Sequence, residues 1–178
     1  MSTTQHTDIE GLPIAAGEWR VDPDAGHLRF RVKSMWGLAP VNGRFASYQG
    51  QLGIDDAGAP TGELIVEAES LDTKNAKRDE HLRSADFFNV KEHQTIRFSV
   101  AAIAARPDGL TITGDLHVGA RVARLQLPVT LTRLGEGRLR VQTSTSVPRE
   151  TVGLTWNKAG MIRGDALLNV ELDLIQGL

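Results

Sequence analysis

The stretch LRFRVK, residues 28–33, alternates apolar and cationic side chains without a break. Successive side chains of a β-strand point to opposite faces, so this pattern is typical of a strand with one packed face and one face in water. The same period of two returns in residues 63–69 and 110–118. The sequence therefore predicts an all-β protein.

Turn-forming segments separate these strands. They are rich in glycine, proline and aspartate, which favour tight turns, and they occur at residues 55–60, 106–109 and 135–137. Pro128 lies inside the strand predicted for residues 122–134. Because proline has no N–H to donate to a neighbouring strand, we expect an edge position or a bulge there. In all, about eight strands joined mostly by short turns are expected.

Antiparallel strands in such a series either pack as a sandwich or close into a barrel, and closure removes the exposed edges. Periodicity leaves both alternatives open. An eight-stranded barrel is just wide enough to be filled by its own side chains or to hold one small ligand. Aromatic residues make up 5% of the chain against 40% for the hydrophobic class, so the lining must come mainly from Val, Leu, Ile and Ala. These side chains leave more room than rings, which favours a ligand.

Residues 68–98, AESLDTKNAKRDEHLRSADFFNVKEHQTIRF, interrupt the strand pattern with dense polar chemistry. Asn75 or Asp79 could cap a short helix, because their side chains accept hydrogen bonds from the unpaired N–H groups of a first turn. We therefore expect a helical insertion around residues 75–88.

Two interpretations of this insertion stay open. It is either a solvated connecting helix, in which Asp79 and Arg83 share a face and form a weak ion pair, or a helix across a barrel mouth. In the second case Phe87 and Phe88 point inward and the charges lie at the rim.

A series of short motifs in a fixed order runs through nearly the whole chain, from about Gly17 to Ile175. The motifs are Trp19 with Val21-Asp22, His27 to Lys33, Val41-Asn42-Gly43-Arg44-Phe45, Ser70-Leu71-Asp72-Thr73, Arg78-Asp79, His81-Leu82-Arg83-Ser84, Asp86-Phe87-Phe88, Ile96-Arg97-Phe98, Ile112 to Leu116, and Leu127-Pro128-Val129. In this order and spacing the chain resembles the YceI family, lipocalin-like proteins that bind polyisoprenoid lipids.

The resemblance implies an eight-stranded antiparallel lipocalin-like barrel. It also implies non-catalytic binding, with transport or storage, of a polyisoprenoid such as an isoprenoid quinone or a polyprenyl chain. No cofactor is implied. Relatives of this kind suggest a homodimer, and a role in stress responses is a further expectation.

The expected ligand-binding residues fall into two groups. Apolar and aromatic side chains should line the interior, and polar groups at the mouth should orient a head group. The first group is Phe30, Val32, Phe45, Leu64, Val66, Phe87, Phe88, Phe98, Leu116 and Trp156. The second group is His81, Arg83, Asp86 and Arg149. Trp19, Trp36 and Trp156 either flank the entrance or serve as core anchors.

Length and charge limit the other possibilities. The 178 residues suit one domain, with residues 1–16 as a flexible N-terminal arm and residues 17–178 as the barrel. A net charge of −2 gives no basic excess for nucleic acid. The chain has no cysteine, and its N-terminus resembles no signal peptide, so we expect a cytoplasmic protein. No apolar run is long enough for a membrane span, which leaves at most transient membrane contact.

Catalytic signatures are sparse. None of the five histidines stands in metal-ligand spacing with another, and no nucleophile elbow, P-loop or dinucleotide fingerprint is present. We therefore expect no metal site and no catalytic residue. One alternative is a barrel enzyme acting on a hydrophobic substrate, with His81 as acid or base and Asp79 or Asp86 orienting it. Another is a stress-related structural protein with a filled barrel.

Overall fold

The computed structural model describes residues 13–34, 38–155, 157, 160 and 162–177. Within this part the chain forms eleven strands and one α-helix. The elements are β1 (Gly17–Val21), β2 (His27–Ser34), β3 (Ala39–Phe45), β4 (Tyr48–Ile54), β5 (Pro60–Glu67), β6 (Leu71–Asp72), α1 (Ala76–Arg83), β7 (Thr95–Arg106), β8 (Gly109–Val118), β9 (Arg121–Gly135), β10 (Arg138–Val147) and β11 (Arg163–Gln176). Single 3-10 turns follow β5, at Ala68–Ser70, and β10, at Arg149–Val152.

Eight of these strands close into a ring. Their order is β1-β4-β5-β7-β8-β9-β10-β11, and β11 pairs back with β1. Every pairing is antiparallel, and at the closing contact Trp19 lies opposite Gln176 and Val21 opposite Leu174. The prediction of an eight-stranded antiparallel barrel with one short helix is confirmed, and the sandwich is excluded.

Strand β11 has two different neighbours along the same edge. Its last residues pair with β1, whereas the register with β2 runs from Glu171, opposite His27, to Arg163, opposite Lys33. The chain passes from β1 to β2 through a turn at Gly26. A Cβ on Gly26 would collide with the carbonyl oxygen of Glu171, so only glycine allows this turn to lie against β11. The remaining strands β3 and β6 add to β2 on its other edge.

The barrel interior contains two packed clusters. The larger one is formed by twelve buried residues from β1, β11 and several other elements: Ile14, Trp19, Val21, Leu28, Leu52, Ile54, Val66, Leu110, Val129, Leu139, Leu172 and Leu174. The smaller one contains Val118, Ala123, Val147 and Val152. Trp19 belongs to the larger cluster and donates from Nε1 to the carbonyl oxygen of Ala15 at 3.0 Å. It is a core anchor, while Trp36 and Trp156 lie outside the described residues.

Ile14 is 1% exposed although the sequence places it in the N-terminal arm. It packs into the larger cluster beside Trp19, so the described part of that segment, from residue 13, includes core. Residues 1–12, the remainder of the predicted arm, lie outside the described residues.

The ladder between β9 and β10 ends early. It runs from Arg138 to Gln142, which lies opposite Thr130, while β10 continues in register with β11 as far as Val147. Pro128 of β9 lies two residues beyond this last pair. Towards the other neighbouring strand, β8, it remains paired with Thr111. The missing N–H explains the interruption, since a proline cannot donate into a ladder. The expected edge character of Pro128 is therefore found locally, inside a closed barrel.

Candidate functional site

A cavity of about 510 Å³ lies inside the barrel. Inward-facing aliphatic side chains from nearly every strand form its wall, because residues two apart share one face of a strand. The wall includes Val32, Val41, Leu64, Val66, Val100, Ile112, Leu116, Leu125, Leu127, Val141, Leu168 and Val170. This volume falls within the range of about 300–1,000 Å³ that is usual for small-molecule sites.

All five phenylalanines of the chain line the cavity. Phe30 and Phe45 stand on neighbouring strands with ring centroids 5.5 Å apart. Phe88, from the segment after α1, meets Phe45 edge to face at 5.9 Å. The rings thus join the strand wall to the helical insertion, in the geometry that aromatic quadrupoles favour.

Helix α1 begins as expected. Asn75 is its N-cap and accepts a hydrogen bond from the backbone N–H of Arg78 at 3.0 Å. Arg78, His81 and Leu82 line the cavity, as do Phe87 and Phe88 after the helix. Among the two interpretations of this segment, the structure supports a helix beside the cavity with its phenylalanines inward.

Asp79 is 7% exposed and does not pair with Arg83. Its Oδ1 accepts hydrogen bonds from both the backbone N–H and the hydroxyl of Thr73. Arg83 donates instead to the carbonyl oxygens of Glu69 at 3.0 Å and Leu71 at 2.8 Å. The predicted ion pair between Asp79 and Arg83 is wrong. Each side chain instead forms hydrogen bonds to residues that precede the helix: Asp79 to Thr73, and Arg83 to two backbone carbonyl oxygens.

Arg78 is held by the same loop. Its Nε donates to the Thr73 hydroxyl and its Nη2 to the Thr73 carbonyl oxygen, each at 2.7 Å. Thr73 therefore links Asp79 and Arg78, and fixes the start of α1 against the preceding strand.

His81 forms a pair with Asp86. Nε2 of His81 lies 2.8 Å from Oδ2 of Asp86, and the side chains are 40% and 51% exposed. The imidazole also meets the ring of Phe87 edge to face, with centroids 5.2 Å apart. Of the two aspartates considered as partners of His81, the structure brings Asp86 to it and places Asp79 on Thr73.

Arg149 is buried, with 6% of the residue exposed. Its guanidinium donates to the carbonyl oxygens of Gly164 at 3.2 Å, Leu154 at 3.3 Å and Ile162 at 3.4 Å. It borders the cavity, but its N–H groups hold the segment between β10 and β11 in place.

Eleven of the fourteen predicted site residues line the cavity: Phe30, Val32, Phe45, Leu64, Val66, His81, Phe87, Phe88, Phe98, Leu116 and Arg149. Arg83 and Asp86 are not among the lining residues, and Trp156 lies outside the described residues. Contact of these residues with a ligand stays a prediction.

The lining residues that sequence reasoning missed include an arginine and two threonines. Arg78 was noted only as part of a motif, although its position three residues before His81 on a helix places both on one face. Thr143 and Thr145 on β10 were overlooked because a threonine at an inward position carries no signal of its own in a polar strand. Both line the cavity.

An ionic network covers the outside of the larger cluster. Arg140 makes two hydrogen bonds to the buried Asp173, at 2.7 and 3.1 Å, and this carboxylate raises the pKa of Arg140. Nearby, the hydroxyl of Tyr48 donates to the carbonyl oxygen of Ala25 at 3.1 Å. Burial raises the pKa of Tyr48, and the carboxylates of Asp173 and Asp22 raise it further.

Among the described residues, no group of three or more His, Asp or Glu side chains is placed to hold a metal ion. None of their helices has the length and hydropathy needed to cross a membrane.

Comparison with known proteins agrees with this architecture. The sequence profile of the YceI-like domain matches residues 19–174. The UPF0312 protein of Pseudomonas paraeruginosa is 32% identical over 126 residues, which are 68% of this chain and 64% of the relative. The chain therefore spans slightly less than two thirds of that relative's length.

Two solved structures share the fold. Burkholderia cenocepacia BcnA superposes with a TM-score of 0.77 at 18% identity, over 86% of this chain and 98% of BcnA. A polyisoprenoid binding domain from Saccharophagus degradans, implicated in plant cell wall breakdown, gives a TM-score of 0.72 at 16% identity, over 89% of this chain and 98% of the domain.

Fold and site together define a closed antiparallel barrel with an apolar interior cavity beside a short helical insertion. Among barrels of this class, the chain belongs to the YceI-like domain family.

Proposed function

We propose that this protein binds a polyisoprenoid lipid in the barrel cavity and carries or stores it without chemical change. The observation that supports this function is the cavity itself, about 510 Å³ and walled by aliphatic and phenylalanine side chains. Such a wall favours an apolar chain as the ligand. Binding removes apolar surface of both the ligand and the wall from contact with water.

The energetics are adequate for a carrier. Each buried CH₂ contributes about 0.8 kcal/mol, so one five-carbon isoprene unit contributes roughly 3–4 kcal/mol. Association costs an estimated 4–15 kcal/mol in lost translational and rotational freedom. A few enclosed units therefore suffice for binding, and the affinity should come mostly from the chain.

The fold comparison supports the same ligand class. The barrel shares its architecture with a domain described as polyisoprenoid binding. At 16% identity the likeness concerns the fold, and the ligand is our inference from that fold together with the cavity in this chain.

A second candidate, an enzyme acting on a hydrophobic substrate, rests on the pair of His81 and Asp86, 2.8 Å apart beside the cavity. A carboxylate on one ring nitrogen fixes the tautomer and orients the imidazole, as a general acid or base requires. If an extracted ligand is turned over by the wild type and not by His81→Ala, with ligand affinity kept, the enzyme is supported. The third alternative, a filled barrel, is contradicted by the cavity.

The test uses protein purified from its own host without detergent. Native mass spectrometry should show a bound lipid, and organic extraction should release an isoprenoid. Val170→Trp places an indole in the cavity wall and should lower lipid occupancy. Leu167→Trp is the matched control, since Leu167 is on the same strand and 49% exposed.

Repeated preparations without lipid, together with no binding of an added isoprenoid quinone, would contradict the proposal. Equal occupancy in Val170→Trp and Leu167→Trp would show that any lipid sits outside the barrel.

A further inference from the structure

Basic side chains follow the outward face of β2. Arg29, Arg31 and Lys33 are exposed, whereas Phe30 and Val32, which alternate with them, line the cavity. Within the described part of the chain, none of these three cations has an ion-pair or hydrogen-bond partner. Their charges can therefore meet an anion from outside the protein.

The neighbouring strands do not neutralise these cations. Arg29 lies opposite Arg44 of β3 on one side and Asn169 of β11 on the other. Both ladder neighbours of Arg31 are uncharged. Like charges directly opposite one another in a sheet are destabilising, so the position of Arg29 opposite Arg44 costs stability in the unbound protein. We call Arg29, Arg31, Lys33 and Arg44 the basic face.

Two arginines of other strands are compensated within the sheet. Arg124 lies opposite Asp115 in the ladder of β8 and β9 and bonds to it at 2.7 Å. Arg140 lies opposite Asp173 in the ladder of β10 and β11, also at 2.7 Å. Because cross-strand ion pairs are formed there, the uncompensated charges on β2 call for an explanation.

The carboxylates that border the basic face in the sheet do not remove its charge. Glu171 of β11 is paired with Arg140 at 3.5 Å. Asp72 of β6 is shared between two basic side chains, at 3.5 and 3.1 Å. Asp165, in the irregular part of β11, is exposed and forms no ion pair within the described residues. The basic face therefore stays positive.

A groove and exposed leucines lie beside these cations. The groove, of about 770 Å³, is lined by Arg29 and Arg31 together with exposed residues of β3, β10 and β11. One of these residues is Leu167, which is 49% exposed, and Leu38, just before β3, is 85% exposed. The surface thus offers apolar side chains as well as positive charge to a partner.

We propose that the basic face docks the protein on a membrane that contains anionic lipids. The lipid phosphate groups lie against its arginines, and Leu38 and Leu167 meet the boundary between head groups and acyl chains. Attachment of this kind combines electrostatic attraction with burial of exposed apolar side chains. Docking goes beyond the proposed function, since it does not need a ligand in the barrel.

The experiment measures sedimentation of the delipidated full-length protein with vesicles. One set is an equimolar mixture of phosphatidylglycerol and phosphatidylcholine, and the other is phosphatidylcholine alone. The wild type should bind the anionic vesicles and not the neutral ones. Binding should fall steeply as the ionic strength rises to about 1 M, where the Debye length is about 3 Å.

Arg29→Gln combined with Arg31→Gln should weaken binding to the anionic vesicles about 25-fold, because each basic residue near such a surface strengthens binding roughly fivefold. Arg106→Gln combined with Arg124→Gln is the matched control. It removes the same charge from arginines that are 38% and 60% exposed and already paired with carboxylates, so binding should be nearly unchanged.

Two further variants test the apolar contact and the fold. Leu38→Ser should weaken vesicle binding by a similar factor at low and moderate salt, because ions do not screen apolar burial. Arg29→Gln alone should unfold at the same temperature as the wild type or higher, since it removes the like charge opposite Arg44. A lower unfolding temperature would contradict the repulsion inferred for this pair.

Several outcomes would overturn docking on a membrane. These are equal binding of the wild type to both kinds of vesicle, binding to neither, or equal losses in the double variant and its control. Unchanged binding in Leu38→Ser would favour an acidic macromolecule as the partner. Stronger displacement by inorganic phosphate than by chloride at equal ionic strength would assign the groove to a soluble anion. Because the protein is delipidated, failure of the proposed function leaves these results unaffected.

Discussion

Phe30 lies directly across Gly43, its partner in the β2–β3 ladder. A Cβ added to Gly43 would collide with three atoms of the Phe30 ring. The ring therefore occupies the space that a side chain at position 43 would take, and it rests against the wall beside the cavity that it lines.

Gly43→Ala should push the Phe30 ring into the cavity. We expect a smaller cavity and weaker ligand binding, with a modest loss of stability, since the obstacle is a side chain that can rotate. Binding of a fluorescent apolar probe and the free energy of unfolding would measure the two effects.

Gly114→Ala serves as the comparison for Gly43→Ala. The new Cβ at position 114 would collide with both the Phe98 ring and the carbonyl oxygen of Ser99. A backbone carbonyl cannot move aside as a ring can. Gly114→Ala should therefore destabilise the protein by about 1–3 kcal/mol, as expected for overpacking. Equal losses in the two variants would contradict this account of Gly43.

Arg149→Met should destabilise the protein by about 2–3 kcal/mol, because it leaves carbonyl oxygens of Leu154, Ile162 and Gly164 without a donor. Amides of the described residues between Gly153 and Gly164 should exchange faster with solvent, which hydrogen exchange would show. Arg124→Met is the control. Arg124 binds Asp115 on the outer wall and its side chain is 60% exposed, so its loss should cost no more than about 1 kcal/mol.

Tyr48 should titrate above its ordinary pKa of 10.0, because burial and two carboxylates disfavour the tyrosinate. It is the single tyrosine of the chain, so tyrosinate absorbance reports it alone. The midpoint should fall to the ordinary value in denaturant. A folded-state midpoint at or below 10.0 would show that the phenol is not buried as described.

The raised pKa of Tyr48 also predicts that the folded protein loses stability at alkaline pH. Between the unfolded and the folded pKa of Tyr48, the unfolded chain has lost the proton that the folded protein keeps. The free energy of unfolding therefore decreases as pH rises through this window, and it is unaffected below it. Tyr48→Phe should lack this part of the pH dependence, while losing the hydrogen bond to Ala25 at every pH.

Ligand affinity should change little between low and high salt. Apolar burial is not screened by ions, whereas exposed charge pairs weaken once the Debye length falls to about 3 Å at molar salt. Titration of an isoprenoid quinone at two ionic strengths would measure this. A steep loss of affinity with salt would indicate that surface arginines, and not the cavity wall, hold the ligand.

Strand alternation predicted the barrel wall well. Phe30, Val32, Leu64 and Val66 line the cavity because a period of two assigns faces without knowledge of any partner strand. The N-cap at Asn75 was also predictable from the sequence, because capping depends on residues only three positions apart. The local break at Pro128 followed from its missing N–H.

Side chains that reach across the fold were not predictable in this way. Arg83 and Arg149 were expected to face a head group, yet they bond to carbonyl oxygens that are distant in sequence or in an irregular segment. Their partners depend on how the insertion and the segment before β11 fold back. Thr143 was not predicted as a lining residue, because a threonine in a polar strand does not reveal which face it takes.

The double pairing of β11 bears on how the protein is made. This strand pairs with β1 and β2, the first two strands of the barrel in chain order, and also with β10. The cylinder thus cannot be sealed until synthesis has passed Gln176. Until then the apolar inner faces of the nascent sheet lack their last neighbouring strand, and exposed apolar surface of this kind is where aggregation begins and chaperones bind.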